Sequence, residues 1–397
     1  SNLRKSLMSK RYLKAPIIFT GKGEKLKDAT LVLNSNGIVE EVGQNITVPE
    51  GSLECFEGAL CPGFINTHCH LELSHLKGKV QEKTKLNGFI QELQSIRHAE
   101  EKEIVDALNE ADLQMQKNGI VAVGDICNDA VSFQRKASSP IHYHSFIELF
   151  AFDSERADTV FNEGLDLKLK AKEAEIASSI VPHAPYSVSD LLLEKISSLA
   201  ENKPLSIHNQ ETQAENSMFQ KGEGAMIDLL SNFGLDKATY PFSGKSSLQS
   251  YLAKIPKNTP LLLVHNTFTS AEDIEFAEKA HQNLYWCFCP LANNYIEGRL
   301  PDIPAFVKAN VRCTIGTDSF ASNHQLSILE EMKCIQQAFP QIELNTLIKW
   351  ACQNGADFLG LPQMGCFEKG KNPGVNWIKN LNENDELTQD SEVERVM

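Results

Sequence analysis

Residues 61–76 read CPGFINTHCHLELSHL. The stretch is apolar up to Ile65 and then carries His68, His70 and His75 within eight residues. A buried strand has no packing use for two histidines on one face. In a strand, residues i and i+2 face the same side, so His68 and His70 present two imidazoles to one point. Neutral imidazole is a good ligand for a divalent metal, and a catalytic site leaves one position open for water.

The strand that ends in this pair is one of eight similar runs. They span 59–70, 120–126, 143–150, 178–186, 205–211, 261–268, 284–290 and 312–319. Each is nearly continuously apolar, as parallel strands covered on both faces must be. Helical spacing fills many of the gaps. In 100–119, Ile104, Leu108, Ala111 and Met115 recur at i, i+4, i+7 and i+11, and Gly119 offers a stop. Ser189-Asp190 is a cap signal for a helix that ends before Pro204. Strands alternating with helices predict an α/β fold, a (β/α)8 barrel.

The two chain ends read differently. KAPIIFTGKGEKLKDATLVLNSNGIVEEVG and GCFEKGKNPGVNWIKNLN suggest short strands with Gly/Asn turns. The expectation is a small β-sandwich built from both ends: 1–58 and 363–397 flank a barrel at 59–362. The acidic tail from Asn382 either frays or adds an edge strand.

Barrel enzymes carry their reactive groups at the C-terminal ends of the strands. Strand 1 ends in His68 and His70, strand 4 in His183, and strand 5 in His208-Asn209-Gln210-Glu211. Strand 6 ends in His265 and strand 8 in Asp318. His208 offers a third nitrogen and Asp318 a carboxylate beside the water. A second H-x-H, His142-Tyr143-His144, follows Pro140 and opens strand 3, which puts it at the opposite face. His75, His98, His281 and His324 fall in helical or loop context.

Bulk composition narrows the class. Of 397 residues, 42% are hydrophobic and 23% charged, ample for a core. The formal net charge of -14 and the absence of a Lys/Arg block argue against nucleic acid or an anionic membrane as partner. The ten cysteines sit mostly in apolar runs and read as free thiols in a reducing compartment. No run has the roughly 18 apolar residues of a membrane span, and the N-terminus lacks a leader pattern, so a cytoplasmic location is expected. Met8 offers a native start, with Ser1-Asn2 as a leftover of expression.

Taken together, these motifs resemble the amidohydrolase superfamily, in its branch of aminohydrolases with a single metal. PGFINTHCHLE is similar to the strand 1 metal motif, HNQET to an H-x-x-E-T element, LLVHNTF to the strand 6 histidine and IGTDS to the strand 8 aspartate. VPHAPYSVS resembles an element of S-adenosylhomocysteine and methylthioadenosine deaminases. HLELS resembles aminodeoxyfutalosine deaminases. CPLANN is similar to a C-P-x-S-N loop, with Ala292 in place of the serine. The resemblance implies that His68, His70, His208 and Asp318 bind one divalent metal, zinc or iron. Binuclear relatives have a lysine or a further carboxylate at strand 4, where this chain has IVPHAPY. It also implies a small heterocyclic substrate and a homodimer.

In that reading the metal makes water nucleophilic at neutral pH. Asp318 takes the water's proton, Glu211 protonates a ring nitrogen, and His265 polarises the attacked carbon's substituent or steadies the nucleophile. The expected reaction is hydrolytic deamination of an adenine nucleoside with a 5′ extension. His183, Tyr186, Glu72 and Arg156 are the candidate substrate contacts. Tyr186 brackets the base and Arg156 or Lys77 meets a carboxylate on the extension. The loop after strand 1 is long enough to cover the site. Two other readings stay open. The same centre could dechlorinate a chlorotriazine, deaminate guanine or cytosine, or open a small cyclic amide; or the barrel could be a scaffold without turnover.

Overall fold

The computed structural model describes residues 9–200 and 202–397. Ser1-Asn2 and Met8 lie outside them. The chain forms two compact units. The first takes the chain up to Asn66, with Leu113–Ala122 and Ser327–Met397; the second takes Thr67–Asp112 and Val123–Leu326.

In the first unit the two chain ends pair, as their composition suggested. Val375–Lys379 runs antiparallel to Ala59–Pro62, and Arg11–Phe19 runs antiparallel to Lys25–Leu33. These join Val39–Gly43, Leu53–Cys55 and Glu392–Arg395 in one seven-stranded sheet, where a two-layer sandwich was expected. The acidic tail supplies its edge strand, on Val375–Lys379. Leu13, Ile18, Leu31, Leu33 and Leu60, all fully buried, form the core beneath it.

The first apolar run is divided where the sequence suggested a single strand. Ala59–Pro62 belongs to the end sheet, and a separate strand begins at Phe64. Gly63 makes the break: a Cβ there would lie 2.3 Å from Val121 Cγ1. Pro62, with no N–H to give, closes the first piece.

Eight strands then carry the site: β1 (Phe64–Cys69), β2 (Ile120–Cys127), β3 (His142–Leu149), β4 (Ala177–Pro182), β5 (Leu205–Asn209), β6 (Leu261–His265), β7 (Leu284–Phe288) and β8 (Cys313–Ile315). They form two four-stranded sheets, ordered β1-β2-β3-β4 and β5-β6-β7-β8. The second sheet is parallel throughout, and β3 and β4 are parallel. Backbone bonds also run from one sheet to the other. The His208 N–H donates to His183 O at 3.0 Å, and the Asp318 N–H to His68 O at 3.0 Å.

The helices follow their signals. Glu101–Lys117 buries Leu108, Ala111 and Met115 and is followed by Gly119 at φ +78. Asp190–Ser198 starts on the Ser189 side chain, which accepts from the Leu192 N–H. Trp286, in β7, is fully buried edge-on to Phe306. None of the ten cysteines forms a disulfide, and most are buried. Among the described residues no helix is long and apolar enough to cross a membrane.

Gly316, after β8, has no room for a side chain: a Cβ would stand 2.8 Å from His68 Cβ and 3.0 Å from the Cys287 and Cys289 sulfurs. Gly316→Ala is therefore expected to cost about 1–3 kcal/mol through overpacking. Its midpoint of thermal unfolding should fall, while Gly43→Ala, with nothing within 4 Å of the added carbon, should leave it within error.

Candidate active site

The residues that end β1, β5, β6 and β8 meet in the second unit. His68 Nε2 and His70 Nε2 stand 3.2 Å apart, and each is 3.4 Å from Asp318 Oδ1. One donor atom from each of His68, His70 and His208 lies within 4.8 Å of the others, and the same holds for His68, His265 and Asp318. His265 Nε2 lies 3.3 Å from Glu211 Oε1 and 3.8 Å from Asp318 Oδ2. All six side chains are buried or nearly so.

The backbone bends sharply to deliver them. Gln210, His265, Asn266 and Asp318 all sit in the left-handed region, at φ +48, +83, +59 and +56. Such conformations cost non-glycine residues about 1–3 kcal/mol each and persist only where surroundings hold them. Buried hydrogen bonds do so here. Glu215 Oε2 accepts from the Gln210 N–H at 2.7 Å. Asn266 Nδ2 donates to Leu263 O at 2.9 Å and to Cys287 O at 3.1 Å. Ser322 Oγ donates to Asp318 Oδ2 at 3.1 Å.

Hydrogen bonds also set the imidazole tautomers. His208 Nδ1–H donates to His183 O at 2.7 Å, leaving Nε2 as a bare lone pair. His265 Nδ1–H donates to Asn293 Oδ1 at 3.1 Å, and its buried Nε2 has no hydrogen-bond partner. Burial keeps most of the rings neutral. It pulls His70 down to about 3 and His265 to about 4, and drives His208 well below its ordinary value. For His68 burial opposes protonation, but Asp318 prevails and raises it. Asp318 in turn is held ionised against burial by His68, His265 and His70.

This donor set fits a divalent metal. Two imidazole nitrogens at 3.2 Å repel unless a cation or proton lies between them, and one carboxylate oxygen faces both. Three imidazole nitrogens and a carboxylate form a borderline donor set of the kind zinc takes.

Glu211 has a different character. Burial, then Asp318, Glu297 and Glu215, push its carboxyl well above the usual range. A carboxyl raised in this way is suited to give up a proton, as a general acid must.

Beside the cluster opens a cavity of about 430 Å³ whose lining includes His70, His183 and Tyr186. Leu93, Met226 and Phe233 give it an apolar wall, and Arg97 and Arg156 give it two cations. The segment after β1 lines this cavity through its helix Lys85–Ile96. Tyr186 stands edge-on to His183 at 5.8 Å. Glu72 lies elsewhere: it lines a second cavity of about 330 Å³, and its Oε1 accepts from the Asn128 N–H at 2.8 Å. Lys77 packs over the Phe320 ring at 4.9 Å. His142 is exposed at the start of β3, while His144 is buried against Ser179 Oγ at 2.8 Å; neither joins the cluster.

Sequence reasoning passed over four residues. Asn293 orients His265 from within CPLANN, where only the serine position drew notice. Arg97 follows the segment read as a cover. Glu148 and Asn128 end β3 and follow β2; a glutamate inside the apolar run YHSFIELF was the available signal.

A family model described as Amidohydrolase family matches residues 59–397. The chain is 26% identical over 355 residues to an adenosine deaminase of Helicobacter pylori, covering 86% of this chain and 84% of that protein. It is 27% identical over 328 residues to an aminodeoxyfutalosine deaminase of Nitratiruptor sp., covering 79% and 77%. Among solved structures it matches Helicobacter pylori aminofutalosine deaminase in complex with methylthio-coformycin at a TM-score of 0.82 and 22% identity, over 98% of this chain and 100% of that one.

The buried carboxyls make stability depend on pH. Burial, then Asp129 and Asp125, raise Glu72 from 4.5 to about 8. A raised carboxyl contributes stability that is complete below its unfolded value and is lost as pH climbs through the folded one. Glu72→Gln removes that loss. Thermal unfolding of the metal-free protein should show the variant gaining on wild type from pH 4.5 to 8 and levelling off above.

Proposed function

The chain belongs to the amidohydrolase family, and on that basis we propose that it hydrolytically deaminates an adenine nucleoside bearing a 5′ substituent. The observation that carries this reading is Glu211: a buried carboxyl, raised by its surroundings, 3.3 Å from His265 and beside the metal-type cluster. A purine ring must gain a proton on nitrogen before its amino-bearing carbon accepts water, and Glu211 is the group able to give one.

The proposed fold is a (β/α)8 barrel over 59–362, with 1–58 and 363–397 as the small β domain. The bonds from His208 to His183 and from Asp318 to His68 support joining the two sheets. His68, His70, His208 and Asp318 would hold one divalent ion, with zinc favoured over ferrous iron by the general affinity order of such sites. Bound there, a divalent ion acidifies water and polarises what it touches.

This chain's own groups do the rest. Asp318 takes a proton from the attacking water, and its bond from Ser322 keeps the carboxylate aimed. Glu211 gives its proton to the ring nitrogen. His265, fixed by Asn293, faces the oxygen as it bonds to carbon. The water's second proton then reaches the amino group through Glu211, ammonia departs leaving a carbonyl on the ring, and the proton taken by Asp318 returns to Glu211, restoring both groups. Tyr186 and His183 flank the base. The apolar wall takes the 5′ substituent, and Arg156 with Arg97 favours one ending in a carboxylate.

Zinc-loaded protein should release ammonia from at least one of adenosine, 5′-deoxyadenosine, methylthioadenosine, S-adenosylhomocysteine and aminodeoxyfutalosine. Silence on all five, with chloride released from a chlorotriazine, would move the assignment to another leaving group. Glu211→Gln should lower kcat by about 10²–10⁴ with zinc still bound. Arg156→Ala should raise KM for carboxylate-bearing nucleosides and leave that for adenosine unchanged; equal KM values for both would remove Arg156 from the site.

A further inference from the structure

Glu148 is the last residue but one of β3 and is buried inside a largely apolar run. A buried carboxylate is costly unless something satisfies it. One oxygen is accounted for: Asn128 Nδ2 donates to Glu148 Oε1 at 3.2 Å and to Glu148 O at 3.2 Å. Asn128 is itself anchored, its N–H donating to Glu72 Oε1 at 2.8 Å. The other oxygen, Oε2, has no hydrogen-bond partner and lies 3.6 Å from His208 Nδ1.

That nitrogen donates to His183 O at 2.7 Å, and Glu148 Oε2 flanks the same N–H at 3.6 Å, as an electrostatic neighbour rather than a hydrogen-bond partner. A metal-binding imidazole works best when the remote nitrogen is held in this way, because its tautomer and ring plane are then fixed. We propose that Glu148, aimed by Asn128, is a positioning residue for His208, keeping the proton on Nδ1 and Nε2 turned to the metal. The proposal rests on the reading of His208 as a ligand. It assigns the run Glu72–Asn128–Glu148–His208 a purpose: the segment after His70 and the ligand on β5 become mechanically linked.

Two rival roles make different demands. Glu148, His183 and His208 each bring one donor atom within 4.8 Å, which allows a second ion. The nitrogen of His208 on that side is protonated by its bond to His183 O, and His183 Nδ1 is turned to Ser187 Oγ at 2.6 Å. Glu148 also lines the cavity, which allows a direct substrate contact.

The test uses the full chain and zinc. Zinc affinity is measured by competition with a chromophoric chelator for wild type, Glu148→Gln, Asn128→Ala and His208→Ala, beside the thermal midpoint of each metal-free protein. Glu148→Gln should weaken zinc binding by about 10–100-fold, and Asn128→Ala should weaken it in the same direction while keeping the carboxylate. The metal-free midpoints should not fall in step. Zinc affinity within twofold of wild type in both variants would overturn the proposal. So would a parallel fall in the metal-free midpoint, a drop from two zinc ions per chain to one, or a rise in KM at unchanged zinc affinity. If His208→Ala also binds zinc as wild type does, the ligand set itself fails, and Glu148 with it.

Discussion

The second unit brings imidazoles and carboxylates from four strand ends to one buried point. Such a group is expensive to assemble. Each polar side chain leaves water, like groups crowd together, and nothing apolar is gained. The arrangement is tolerable only if a cation or a proton completes it and the backbone holds it rigid. The 3.2 Å separation of two Nε2 atoms, each 3.4 Å from one Asp318 oxygen, is that requirement in its simplest form.

The rigidity comes from strand ends that are bent and then braced. His265 and Asp318 are displayed by left-handed backbone at the end of β6 and just beyond β8, and Gln210 bends the chain after β5. Each bend is held by buried hydrogen bonds, from Glu215, Asn266 and the backbone of His68. Outside that frame a further layer orients the rings: Asn293 for His265, His183 O for His208. His68, His208 and His265 stand on strands and His70, Glu211 and Asp318 just beyond them, while Glu215 and Asn293 brace them from the helices that follow.

Much of this is legible in the residue order. Period-2 spacing puts His68 and His70 on one face, and histidines or an aspartate in otherwise apolar runs mark strand ends. Those are short-range facts, so His208, Glu211, His265 and Asp318 stand out from the order of residues alone. The break at Gly63 does not, because it depends on Val121, distant in sequence. Nor does the fate of Glu72, adjacent to the metal motif yet turned to Asn128 and a neighbouring cavity. Glu148 and Asn293 escape for the same reason. Their meaning lies in a partner on another strand, and nothing local distinguishes an orienting carboxylate from an idle one.

The most direct check on this picture is a crystal structure of the zinc-loaded chain, with the ion located by anomalous scattering at the zinc edge. One peak is expected, about 2.0–2.2 Å from nitrogens of His68, His70 and His208 and from an oxygen of Asp318, with Glu211 outside the coordination sphere. A peak held instead by Glu148 and His183, two peaks, or Glu211 bound as a ligand would contradict it.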